Sequence, residues 1–182
     1  QKSNIVLYRF ASIIITGLMC ISLVIDWGNV YTAYHEIPLS ILLNKGFVTG
    51  LVSSFTLLGA LLLLRKENEP LTYLGLSFNP KAYSKLLAIG FIVLLYFTGL
   101  LELSYQLKER VDYGASIAII IGAYHLLYFS LLNLVANKLS SKSAEITLYV
   151  FNFINAVIFI LFFTIIPLVD FKENFMDGYD VQ

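Results

Sequence analysis

The sequence predicts an all-α protein, a polytopic transmembrane bundle of about five helices. Three observations support this prediction: 58% of the 182 residues are hydrophobic, only 13% are charged, and the apolar residues gather in long runs. A soluble domain carries about 25% charged residues, because a particle in water needs a polar surface. The composition therefore argues against a soluble enzyme and a disordered segment. The zero net charge argues against a nucleic-acid partner.

Each of the five runs is long enough to cross a bilayer as a helix. Roughly 20 apolar residues are needed to cross a hydrocarbon core about 30 Å thick. A helix satisfies its own backbone hydrogen bonds in lipid, and no run alternates with the period of two that a barrel strand requires. The predicted spans cover residues 5–25, 46–64, 86–103, 113–137 and 146–169.

Polar segments connect the five spans. Residues 26–45 and 65–85 contain the glycine, proline and asparagine residues that are typical of turns, and the two later connections are short and polar. Pro167 lies near the end of the fifth span, where its missing N–H can stop or kink a helix. No Ser/Gly-rich or Pro-rich linker divides the chain, so we expect residues 1–182 to form one transmembrane domain.

The distribution of basic residues predicts the orientation of the chain. Only Lys and Arg are counted, because loops rich in these residues stay on the cytoplasmic side. With five spans, the side that receives the N-terminus has eight of the 12 basic residues and the other side has four. We therefore expect the N-terminus in the cytoplasm and the C-terminus outside.

Polar side chains inside the predicted spans are candidates for a functional site, because they are costly to place in lipid. His125 lies at the centre of the fourth span. On an ideal helix it shares one face with Asn133 and with the small residues Gly114, Ala118 and Gly122, so this face is expected to pack against another helix. His125 is then either a proton relay, a metal ligand or a substrate contact, or a neutral histidine that is hydrogen-bonded across a packed interface.

Two further patterns predict how the helices pack. Asn152 and Asn155 share a face of the fifth span, where they either line an ion or substrate path or join the fourth and fifth spans through hydrogen bonds. In the second span, Gly46, Gly50 and Ser54 recur every four residues. Small residues at this spacing allow another helix to approach closely, either within the chain or in a dimer.

Glu102 closes the third span at the predicted outer edge. Other titratable residues are expected on the same side of the membrane: Asp26, His35, Glu36, Glu109 and Asp112. Together with Glu102 they either form a metal or acid/base site or are simply solvated. The sequence has none of the common motifs of zinc binding, nucleotide binding or nucleophilic catalysis, so it predicts no metal, no cofactor and no catalytic residue.

Two short segments carry a resemblance to a known family. Residues 42–49 (LLNKGFVT) lead into the second span, and residues 96–103 (YFTGLLEL) end the third. They resemble a group of bacterial multi-pass predicted membrane proteins, domain of unknown function 2339. The resemblance implies a bacterial inner membrane, many more than five spans, and hence that this chain is a segment of a longer one. It implies no activity and no catalytic residues.

The sequence thus predicts a non-enzymatic integral membrane module. We expect membrane lipids around it, and further helices of the same chain or other subunits packed against it. Two alternatives stay open. One is transport or binding of a lipid or small solute, with His125, Asn133, Asn152 and Asn155 lining the path. The other is an intramembrane enzyme that uses Glu102 or His125 as an acid or base.

Overall fold

The computed structural model describes residues 2–64, 71–73, 76–111, 114–139 and 142–176. Within these residues the chain is mostly helical, with one small hairpin and an irregular connection over residues 33–44, and it has five stretches long and apolar enough to cross a membrane. These stretches are Phe10–Thr32, Lys45–Leu64, Pro80–Lys108, Gly114–Ala136 and Tyr149–Glu173. The prediction of an all-α fold with about five membrane-spanning helices is confirmed.

The helices are longer than the predicted spans, because several continue beyond the apolar run. In chain order the elements are α1 (Lys2–Thr32), α2 (Lys45–Leu64), β1 (Leu71–Tyr73), β2 (Leu76–Phe78), α3 (Pro80–Lys108), α4 (Gly114–Leu139), α5 (Lys142–Ile158), a π-helical segment (Phe159–Ile165) and α6 (Ile166–Met176). Strands β1 and β2 pair antiparallel, with Leu71 opposite Phe78. The chain divides into two compact units, unit 1 (residues 1–102) and unit 2 (residues 103–182). The expectation of a single domain stays a prediction.

Helix α3 begins at Pro80, before the predicted third span, because Asn79 and Pro80 form a favourable helix start. The Asn79–Pro80 pair suggested a turn, and in the structure it begins the helix. The Asn79 side-chain oxygen accepts hydrogen bonds from the backbone N–H groups of Lys81, at 3.0 Å, and Ala82, at 3.4 Å. Asparagine is a favourable N-cap, and proline suits the first helical position because its missing N–H would have no partner there.

Unit 1 is built around a small apolar core. Leu23 and Trp27 of α1, Leu57 of α2, and Leu87 and Leu94 of α3 are buried against one another. The Trp27 indole N–H donates to the backbone carbonyl of Gly46 at 3.0 Å and so joins α1 to α2. The outward faces of these helices are apolar as well, and this pattern is typical of proteins in which lipid replaces water.

The small residues of α2 lie where this helix approaches its neighbours most closely. A methyl group added at Gly50 would lie 2.6 Å from the Thr98 hydroxyl oxygen on α3. One added at Gly46 would lie 2.8 Å from the ring of Tyr31 on α1. Ser54 is fully buried and donates to the carbonyl of Gly50 at 2.9 Å. The stripe therefore packs within unit 1.

Unit 2 contains α4, which contacts α5, the π-helical segment and α6. A methyl group at Gly122 would lie 2.3 Å from Cβ of Phe163, so α4 and the π-helical segment meet closely there. Only part of the predicted packing face of α4 lies against another element among the described residues. Ala118 is half-buried, and Gly114 has no atom of the described residues within 4 Å of a methyl group at its position.

The fifth span changes its helical geometry before its proline. In the π-helical segment Phe159–Ile165 the turn widens, and the backbone N–H of Ile166 donates to the carbonyl of Leu161, five residues earlier. Pro167 follows directly and has no N–H to donate. The helix does not stop at Pro167, since α6 continues to Met176.

Candidate functional site

Glu102 of α3 forms the centre of a polar cluster inside unit 1. Its side chain is only 3% exposed. One carboxylate oxygen, Oε2, accepts hydrogen bonds from the Tyr31 hydroxyl at 3.0 Å and from the Asn44 amide at 2.5 Å. The other oxygen, Oε1, accepts from the backbone N–H of Leu42 at 2.9 Å. Three donors from two different parts of the chain thus meet at one buried carboxylate.

Asn44 connects this cluster to the start of α2. Its side-chain oxygen accepts from the backbone N–H of Phe47 at 2.9 Å, the bond that caps α2, and lies 3.3 Å from the Tyr31 hydroxyl. Its amide nitrogen donates to the Ser40 carbonyl at 3.1 Å as well as to Glu102. Asn44 is 5% exposed, and such a buried amide needs all these partners. The arrangement fixes the segment that joins α1 to α2 against α3.

The structure does not bring the other titratable residues named above into a cluster around Glu102. Asp26 forms an ion pair with Lys45, and the His35 ring lies 2.8 Å from the carbonyl of Val30. Asp112 lies outside the described residues, and no cluster of three potential metal ligands occurs in the part of the chain that the structure describes. The alternative that Glu102 is simply solvated is wrong. Helix α3 continues past Glu102 to Lys108, and the Glu102 side chain is buried against neutral hydrogen-bond donors.

His125 meets Asn155 in unit 2. A ring nitrogen, Nε2, lies 3.2 Å from the Asn155 side-chain oxygen, and the Asn155 amide donates to the carbonyl of Phe151 at 3.0 Å. The ring also packs edge-on against Phe129, at 4.7 Å between centroids, and stacks on Phe163 at 5.9 Å. His125 is half-buried and Asn155 is 4% exposed. This geometry is typical of a histidine that joins two helices through hydrogen bonding and aromatic contacts.

Asn133 and Asn152 form a second pair between α4 and α5. The Asn133 amide donates to the Asn152 oxygen at 2.5 Å and to the Phe129 carbonyl at 2.9 Å. Its own side-chain oxygen is buried and has no hydrogen-bond partner among the described residues. Rotating the amide would place two oxygens against each other, so the assigned orientation is the favourable one. The pair lines a groove of about 460 Å³ together with Ser130 and Tyr149.

The residues that complete the Glu102 cluster are not evident as site residues from the sequence. The sequence marks Tyr31 only as one of several aromatic residues near the predicted outer membrane edge, and Asn44 only as part of a connection. A signal for Asn44 was present, since asparagine directly before an apolar run is a common helix N-cap. No such signal marks Leu42, which takes part through its backbone and adopts a positive φ of 61°.

Comparisons of the chain with protein-family models, with curated proteins and with solved structures find no match. The resemblance to the bacterial membrane family therefore stays a prediction. The geometry supports a coarser identification: the chain is an all-α integral membrane protein, with a buried carboxylate cluster in unit 1 and two amide-centred pairs in unit 2.

Proposed function

We propose that this chain is a multi-pass, non-enzymatic module of a bacterial inner membrane. One observation supports this proposal above all: the oxygens of the buried Glu102 carboxylate accept hydrogen bonds from Tyr31, Asn44 and the backbone of Leu42. A carboxylate bonded in this way holds helices together. The pairs in unit 2 support the same role, because they link α4 to α5.

The test compares stability with function in a host that depends on the protein. Variants Glu102→Gln and His125→Gln are introduced in place of the wild-type gene, and growth is measured alongside the thermal stability of the purified protein. A structural role predicts that growth falls only where stability falls. A variant that keeps wild-type stability but no longer supports growth would contradict the proposal and favour an intramembrane enzyme.

The proposed orientation places the N-terminus in the cytoplasm and the C-terminus outside. The excess of Lys and Arg on the side of the N-terminus supports it. Fusions of alkaline phosphatase and of green fluorescent protein after Gln182 test it, because the first is active only outside the cytoplasm and the second fluoresces only inside. A fluorescent, phosphatase-negative C-terminus would reverse the orientation.

The proposed partners are membrane lipids and further helices of the same chain or other subunits. Large apolar side chains on each long helix support contact with an apolar medium; Phe55 on α2 is 59% exposed and Phe153 on α5 is 71% exposed. A photoreactive phenylalanine analogue at these positions tests the partners in membranes, with Tyr34, outside the spans and 91% exposed, as the control. Crosslinks to lipid alone at both positions would contradict the proposal that further helices pack against these faces.

A second candidate function is the binding of a lipid or small solute in unit 2. The groove beside Asn133 and Asn152 favours it, because the buried Asn133 oxygen lacks a donor there. A ligand hydroxyl or amide that supplied this donor would remove the cost of the unsatisfied group. The test is the Asn133→Leu variant: loss of a co-purifying small molecule would support binding, and an unchanged set of bound molecules would exclude it.

A further inference from the structure

A groove between α1 and α2 of unit 1 belongs to neither of the sites above. Its volume is about 370 Å³, and Asp26, Lys45, Ser22, Thr49, Ser53 and Met19 are among the residues that line it. Lys45 is the first residue of α2, so the groove starts at the end of a membrane span and runs inward along it.

A charge pair lies at the outer end of this groove. The Lys45 ammonium donates to one carboxylate oxygen of Asp26 at 2.5 Å, and the two side chains are 69% and 23% exposed. Neither makes another hydrogen bond or ion pair with the residues that the structure describes. A lysine ammonium has three N–H donors and a carboxylate has two oxygens. N–H groups of the Lys45 ammonium and one oxygen of the Asp26 carboxylate thus remain available, side by side, to a ligand.

Hydroxyl groups and apolar side chains line the groove inward of the charge pair. Ser22 and Thr49 lie about one turn from the charge pair, while Ser53 lies eight residues beyond Lys45, or about 12 Å along the helix. Ser22 and Ser53 each contribute a hydroxyl group to the lining. Leu23 lies beside Ser22, and Met19 lies about two turns from Asp26. The order from the membrane edge inward is charges, then hydroxyl groups and apolar side chains.

We propose that this groove binds a zwitterionic phospholipid whose headgroup ends in a primary amine. Lys45 binds the phosphate, and the free oxygen of Asp26 accepts a hydrogen bond from the lipid ammonium. The hydroxyl group of Ser22, about one turn inward of the charge pair, lies at the depth of the glycerol ester oxygens, and an acyl chain follows Met19. The pair has no net charge, so it matches a headgroup with two separated opposite charges.

Other lipids fit the groove less well. A headgroup with a single negative charge can bind Lys45, but it has no ammonium to offset the repulsion between the phosphate and Asp26. A quaternary ammonium headgroup has both charges, but it has no N–H to donate. This inference goes beyond the proposed function, because a structural module holds its helices together without a bound lipid.

The test is lipid binding to the purified chain by native mass spectrometry in detergent. The probes are phosphatidylethanolamine, phosphatidylcholine and phosphatidylglycerol with identical acyl chains. The variants are Asp26→Asn and Lys45→Gln. Both should fold, because the Lys45 side chain is 69% exposed and an ion pair with such a partner contributes little to stability. The Lys85→Gln variant is the control, since Lys85 is exposed on α3 and does not line the groove.

We expect the wild type and the Lys85→Gln control to bind phosphatidylethanolamine about tenfold more tightly than the other two lipids, the effect of one hydrogen bond to a charged group. Asp26→Asn should lose this preference, and Lys45→Gln should weaken binding of all three. Equal binding of the three lipids by the wild type would overturn the proposal. So would a preference for phosphatidylethanolamine that Asp26→Asn retains. Thermal stability measured on each variant ensures that lost binding reflects the groove and not unfolding.

Discussion

Glu102 accepts a hydrogen bond from the backbone N–H of Leu42, a residue held in the left-handed region with φ of 61°. A side chain with a Cβ atom disfavours this conformation by roughly 1–2 kcal/mol. The three hydrogen bonds at the carboxylate of Glu102 and the cap of α2 by Asn44 hold the backbone in place despite this cost. The segment between α1 and α2 is thus shaped by a residue 60 positions further along the chain.

We expect Leu42→Gly to be about 1 kcal/mol more stable than Leu43→Gly. Glycine at position 42 removes the steric cost of the positive φ, and this gain offsets the larger entropy that glycine has in the unfolded chain. The second variant provides the control, because Leu43 is 82% exposed and has no positive φ. The measurement is the free energy of unfolding in a titration of mixed micelles with SDS. Equal stabilities would show that Leu42 is not strained.

Asn44→Asp should destabilise the chain by about 1.5–3 kcal/mol, the range for a hydrogen bond to a charged group. Aspartate is as good an N-cap as asparagine, so the cap of α2 survives. The donor to Glu102 is lost, however, and a second carboxylate takes its place. Asn79→Asp is the matched control, since Asn79 caps α3 at an exposed position. If the two variants unfold at the same SDS fraction, Asn44 acts only as a cap.

Gly122→Ala should destabilise unit 2 by about 1–3 kcal/mol, the usual cost of overpacking. The new methyl group would lie 2.3 Å from Cβ of Phe163, an atom that cannot move without the backbone. Gly59→Ala is the comparison, because no atom lies within 4 Å of a methyl group there and alanine is the better helix former. Thermal unfolding followed by size-exclusion chromatography measures both. The packing of α4 would need revision if Gly122→Ala were the more stable variant.

His125→Leu should lower the free energy of unfolding by about 1–3 kcal/mol, because the buried oxygen of Asn155 loses its partner. His125→Gln keeps an N–H donor at a similar reach and should stay within about 1 kcal/mol of the wild type. The two variants are compared in the same SDS titration. A glutamine variant as unstable as the leucine variant would mean that the aromatic contacts with Phe129 and Phe163, rather than the hydrogen bond, hold this position.

The candidate residues could be found from the sequence more readily than their partners. A polar residue within an apolar run is visible by inspection, and His125, Asn133, Asn152, Asn155 and Glu102 were all identified in this way. The pairing of His125 with Asn155, and of Asn133 with Asn152, follows from the register of α4 against α5. Helix periodicity gives the face of each residue but not this register, so the pairs could not be predicted.

The sequence by itself determined that the chain forms five long apolar helices, since transfer of a helix into lipid depends on a sum over residues that are close along the chain. Only the tertiary structure decided what Glu102 does. Asn44, which donates to it, is 58 residues away, and the same α3 helix could have exposed the carboxylate to water by a small rotation. A buried charge must be matched by donors, and those donors are set by how the helices pack.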